Sequence, residues 1–204
     1  MLHSWGAKAP VRSAASALLQ LNRLVNSASQ AMLGCNDKSV QAGTELMNYS
    51  TDFPSIKERV SPQEWQTRVE LAACYRLIDK YEMTDLIYNH ITARVPGEDD
   101  VVLLNLYGLL YKEITASSLV KIHVDGEIIW KPDTDYDINK SGYVIHGAIH
   151  KARPDVACVL HTHTRAGMAV AAMNCGLLPL SQTAIRFVGH IGYHDYEGPA
   201  VELD

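Results

Sequence analysis

Two histidines one residue apart, His161-Thr162-His163, follow directly on the apolar run Val156-Ala157-Cys158-Val159-Leu160. Alternate side chains of an extended backbone point the same way, so an H-x-H at a strand end aims two imidazoles at one side. Neutral imidazole is a preferred ligand of zinc and similar divalent ions, and two rings are half of a tetrahedral shell. The carboxyl ends of strands are also where α/β proteins gather ligands and catalytic groups. His146 and His150 lie one turn apart on a predicted helix and converge on the pair if that helix packs beside the strand. His190-x-x-x-His194 adds metal ligands only if its segment is helical. Asn105, Tyr107 and Gly108 lie between two predicted strands, where they could line a ligand cleft or simply form a turn. Asp133, Asp135 and Asp137 read as a solvated loop, because the calcium-loop pattern lacks its glycine and its terminal glutamate.

Hydrophobic periodicity supplies the elements that must position these groups. Ser61, Pro62 and Glu64 mark a helix start, with an N-cap, a first-turn proline and an S-x-x-E capping box. Trp65, Val69 and Ala72, with Leu71 and Ile78, give apolar stripes over about five turns before Met83-Thr84-Asp85 ends the helix. Leu86 to Val95 alternates as a strand, and the turn Pro96 to Asp100 leads to another at Val101 to Leu104. Leu119 to Val124 and Glu127 to Trp130 flank Asp125-Gly126, a hairpin signal. Asn139 is a plausible cap for a helix through Ala152, stopped at Arg153-Pro154. A buried strand at 155–160 follows, then a helix from Arg165 to Asn174 ended by Gly176, then an extended stretch from Arg186 to Tyr196. The expected class is α/β of the layered α+β kind: an αβα sandwich with a central, mostly antiparallel sheet flanked by helices.

The chain of 204 residues carries a net charge of -5 and no basic cluster, which argues against nucleic-acid and anionic-membrane partners. No uninterrupted apolar stretch approaches the roughly 20 residues of a membrane span. Cys35, Cys74, Cys158 and Cys175 are scattered and read as buried thiols of a reduced, intracellular protein. Met1 to Asn36 holds no acidic residue, a composition like that of an organelle transit peptide. The alternative is a plain N-terminal extension, in which Leu18, Leu21 and Val25 have the spacing of a short amphipathic helix. The expected location is cytoplasmic, with mitochondria as the alternative. Residues 36–60 read as linker, so the expected organisation is a partly disordered extension and linker at 1–60 and a domain at 61–204.

The stretch Asn139-Lys-Ser-Gly-Tyr-Val-Ile-His-Gly-Ala-Ile-His-Lys-Ala-Arg-Pro-Asp155, running into Val-Leu-His161-Thr-His163-Thr, resembles the class II aldolase/adducin family. Thr84-Asp-Leu-Ile-Tyr-Asn-His-Ile-Thr-Ala-Arg94, Tyr107-Gly-Leu-Leu-Tyr-Lys-Glu-Ile-Thr115 and Gly176-Leu-Leu-Pro-Leu-Ser-Gln182 extend the likeness over about Ser61 to Leu203. The resemblance implies an αβα fold that assembles into tetramers, with a zinc-type ion in clefts at subunit edges. Catalytic members cleave or epimerise sugar phosphates, the ion polarising a carbonyl or stabilising an enediolate. Residue by residue, His161 and His163 match two of the family's metal ligands. The family's catalytic glutamate falls at Gly142, its phosphate-cradling Gly-Asn-x-Ser loop at Asn89-His-Ile-Thr92, and its partner segment at Leu106-Tyr-Gly108. The third family histidine belongs to a His-Gly step beyond Asp204. These departures match the adducin-like branch, and they imply a domain short at its C-terminus.

The resulting expectation is a domain binding a divalent metal, zinc first, through His161 and His163, with lyase-like or epimerase-like chemistry on a small hydroxy-carbonyl or sugar-phosphate substrate. His146 is the nearest group to move a proton, with Tyr107, Tyr111 or Tyr193 as alternatives. Asn105, Tyr107 and Gly108 are the substrate-binding candidates. A homo-oligomer is expected. The rival expectation is a non-catalytic, adducin-like oligomerisation or cytoskeletal scaffold, with actin or spectrin as partners, or a degenerate fragment.

Overall fold

Ser61 holds an extended backbone, and its hydroxyl accepts from the Glu64 amide at 3.1 Å, opening helix α1, Pro62–Lys80. The computed structural model describes residues 47–195 and Gly198. The acid-free segment 1–36, with the short helix expected in it, lies outside them. Only half of the expected capping box forms, because the Glu64 carboxylate turns inward to Arg68 at 2.8 Å and Lys121 at 2.9 Å. The buried face of α1 is accordingly Glu64, Arg68, Leu71, Ala72 and Tyr75. Val69, expected on an apolar stripe, is exposed. The buried Arg68 is tolerated because it donates to the Leu119 carbonyl at 2.7 Å and lies over the Trp130 ring.

Five short strands follow: β1 Ile91–Arg94, β2 Val101–Leu104, β3 Val120–His123, β4 Ile128–Trp130 and β5 Cys158–Leu160. All pairings are antiparallel, in the order β4-β3-β2-β1-β5. The Asp125-Gly126 hairpin forms as expected, with Gly126 at φ +96°. Helix α1 packs on β1 on one side of the sheet. On the other lies α2, Lys140–Ala152, pressed so close that Gly147 meets the Val124 carbonyl. This is the expected α/β sandwich with an antiparallel sheet. Its core comprises Leu71, Tyr75, Ile91, Leu103, Leu104, Tyr111, Ile122 and their neighbours.

Several local expectations need correction. Of the expected linker 36–60, the described part, 47–60, packs on the domain: Ile56 is buried and Asn48 donates to the Asp133 carbonyl at 3.0 Å. The strand at 155–160 shortens to β5 at the edge of the sheet, where Cys158 and Leu160 are exposed. Helices α3, Arg165–Ala171, and α4, Gln182–Ile185, follow it. Residues 186–195 are turns and irregular backbone where an extended segment was expected. Cys74 is half-buried, while Cys158 and Cys175 are exposed, so the thiols are not uniformly inside. No helix among the described residues is long and apolar enough to cross a membrane.

Candidate functional site

The site forms where β1 meets β5. Ile91 pairs with Leu160, and one step along the ladder the His161 amide donates to the His90 carbonyl at 3.0 Å. Residues opposite each other across a ladder share a face, so His90 and His161 stand together on the side covered by α2. His163, two residues on, has its amide fixed to the Met83 carbonyl at 3.1 Å. The His161 and His163 rings lie 4.6 Å apart, with their Nε2 atoms 3.0 Å from each other. A third link comes from the loop after α1, where the Asp85 carboxylate lies 3.1 Å from His163 Nδ1. That loop is folded by Asn89, whose Oδ1 accepts from the Asp85 amide, and it carries Leu86 at φ +50°.

This geometry fits a divalent ion. Two nitrogens bound to one tetrahedral zinc at 2.0–2.1 Å stand roughly 3.3 Å apart, close to the separation found. A carboxylate on the far nitrogen of a ligating histidine is the usual orienting partner: it accepts a hydrogen bond from Nδ1–H and so leaves the Nε2 lone pair facing the ion. Burial, then the charge of His163, lowers the His161 pKa and so keeps its imidazole neutral. Among the described residues no three His, Cys, Asp or Glu side chains bring their donors onto one point.

The remaining candidates are distributed as follows. His146 lies beside the pair, fully buried, its ring 4.2 Å from that of His90. Its Nδ1 is bonded to the Thr92 hydroxyl at 2.9 Å, which also meets His150 Nε2 at 2.9 Å. Burial, then the neighbouring His90, pushes the His146 pKa down to about 2, so it is a poor proton acceptor at neutral pH. His150 is equally buried and serves this network. Asn105 is buried beneath the sheet, accepting from the Tyr75 hydroxyl at 2.9 Å, which occupies it structurally. Tyr107 bridges to Asp137, and Gly108 has the Tyr136 ring where a side chain would be. None of these three has its described partners among the histidines. Of the tyrosines, Tyr111 is the one that reaches the site, donating to the His161 carbonyl at 3.4 Å. Tyr193 is exposed, and the segment of His190 and His194 is not helical, which removes the condition for metal binding there.

Two neighbours of the pair are not singled out by the sequence: it places Asp85 at a helix end, and His90 in an alternating strand within the segment that matches the family's phosphate-cradling loop. Gly142 lies under the His90 ring, and a Cβ there would come within 3.1 Å of it.

The family description "Class II Aldolase and Adducin N-terminal domain" matches residues 69–204. The chain belongs to this family. A class 2 aldolase-like protein of Pseudomonas aeruginosa is 52% identical over 146 residues, 72% of this chain and 55% of the relative. Alpha-adducin of Rattus norvegicus is 50% identical over 135 residues, 66% of this chain but 18% of the adducin. Among solved structures, an aldolase II superfamily protein from Pseudomonas syringae is 56% identical with a TM-score of 0.70, covering 74% of this chain and 60% of its own. The L-fuculose 1-phosphate aldolase of Glaciozyma antarctica is 27% identical with a TM-score of 0.60, covering 68% and 56%. This class II aldolase/adducin domain therefore spans little more than half of its bacterial relative. Its family typically works with a divalent metal.

Proposed function

We propose that this class II aldolase/adducin domain binds a divalent ion, zinc first, through Nε2 of His161 and His163. The reading rests on one arrangement: two Nε2 atoms 3.0 Å apart, with Asp85 on the far nitrogen of His163. With His163 Nδ1–H donating to Asp85, His163 Nε2 is the acceptor and His161 Nε2–H the donor of the short contact. Uptake of an ion then requires the His161 proton to move from Nε2 to Nδ1. Bound there, the ion would polarise a carbonyl as a Lewis acid. The resulting activity would be lyase-like or epimerase-like, on a small compound with a hydroxyl beside a carbonyl.

The chain's own contribution is positional. The β1–β5 ladder sets the spacing of His90 and His161, Asp85 fixes the His163 ring, and Tyr111 ties down the His161 carbonyl. With glycine at 142, no carboxylate reaches the site from α2 to move a proton. Elemental mass spectrometry on the purified chain and on the His161→Ala/His163→Ala double variant tests the reading. One equivalent of zinc, lost in the double variant, is expected. Absence of metal from both after loading overturns it.

A second reading, an adducin-like scaffold without catalysis, has its own support in that missing carboxylate and in the identity with alpha-adducin. Under it the domain would act through homo-oligomerisation. Apolar side chains exposed between Leu160 and Tyr193, including Leu180, Phe187 and Val188, supply surface for self-association. Metal binding without turnover of sugar phosphates or hydroxy-carbonyl compounds, in a stable oligomer, favours the scaffold.

A further inference from the structure

His90 is almost entirely buried, at 3% exposure, and among the described residues both of its ring nitrogens lack a hydrogen-bond partner. A buried imidazole carries one N–H donor and one acceptor, and leaving both unmade is costly. Its neighbours do not relieve this. His146 faces it as a tilted ring at 4.2 Å and turns its Nδ1 to Thr92, while His161 meets it edge-on at 4.9 Å. The ring therefore stands against the metal pair, on the same face of the same ladder, with its polar atoms unsatisfied. It also fills the space above Gly142, from which α2 would otherwise send a side chain towards the site.

We propose that His90 is a ligand-contacting residue of this site: it hydrogen-bonds the water or substrate oxygen carried by an ion at His161 and His163. The inference rests on the metal reading above. A Cβ at residue 142 would come within 3.1 Å of the His90 ring, so the imidazole of the residue just before β1 stands where a side chain from the helix would begin. The ligand class that suits it is a small molecule with adjacent oxygens, a hydroxyl beside a carbonyl or carboxylate. One oxygen would sit on the ion while another oxygen or its proton meets His90.

Cobalt(II) as the ion and glycolate as the probe separate the two claims. Wild type loaded with cobalt is expected to bind one equivalent and to change its visible spectrum on titration with glycolate. His90→Ala is expected to keep the cobalt stoichiometry but to bind glycolate about tenfold more weakly, the loss of one buried hydrogen bond. His90→Gln, which retains an amide donor, should recover much of the affinity. Gly142→Ala, whose methyl group displaces the ring, should weaken glycolate with cobalt retained. Equal glycolate affinity in wild type and His90→Ala overturns the proposal, as does loss of cobalt from His90→Ala or failure of wild type to bind glycolate. Failure of wild type to take up cobalt overturns the metal reading, and this inference with it. If His90→Ala does not fold, the imidazole 15N resonances of His90 in the zinc-loaded wild type decide: a shift on adding glycolate supports contact, and none refutes it.

Discussion

At the scale of single residues, the histidine pair was legible because its information is local: residue type, spacing of two, and the end of an apolar run. The approach of Asp85 and His90 to the pair was not, because it depends on where a loop and a distant strand are brought. His90 and His161 are 71 positions apart in the chain and meet only through the register of one ladder. Asp85 makes a prediction of its own. Removing the carboxylate from His163 frees the wrong nitrogen, so Asp85→Ala should lower metal affinity about 10- to 100-fold, read by competition with a chromophoric chelator. Tyr75 makes another. Its hydroxyl accepts from the Ile91 amide at 2.9 Å and donates to Asn105. Tyr75→Phe would leave buried polar groups unpaired and should cost about 1–3 kcal/mol in urea unfolding.

At the scale of elements, helix α1 follows from its Ser61 cap, and α2, the β3–β4 hairpin and strand β2 from turns and periodicity, although Asn139 makes no side-chain cap at the start of α2. The faces of α1 do not. Apolar spacing pointed to Trp65 and Val69, whereas the buried stripe begins with Glu64 and Arg68, whose burial depends on Lys121 and the Leu119 carbonyl far along the chain. The seating of α2 rests on one glycine. A Cβ on Gly147 would lie 2.1 Å from the Val124 carbonyl oxygen, a fixed backbone atom. Gly147→Ala should therefore push the helix off the hairpin and cost about 3 kcal/mol or more, despite alanine's better helix propensity. Urea unfolding monitored by circular dichroism checks both sign and size. Retained stability would mean that α2 can shift without loss.

At the scale of the molecule, the buried histidines make stability depend on pH. Burial holds His146 down to about 2 and His90 to about 4, against an ordinary value of 6.5. The unfolded chain binds more protons than the folded one once the pH drops below 6.5. Stability is thus complete above that value and declines as the pH falls towards 4, by up to about 3 kcal/mol per unit for the two rings. Urea midpoints of the metal-free chain across this window, with a chelator present, test the slope; a flat profile refutes neutral burial. The position of β5 carries a further consequence. Among the described residues this strand is paired only with β1, and the histidines that end it face β1 and the loop of Asp85. An ion held there would act as a rivet between the sheet's outermost strand and its neighbour. Filling of the site and docking of residues 158–163 then become one equilibrium, so a protease cutting near β5 would report occupancy without any substrate being turned over.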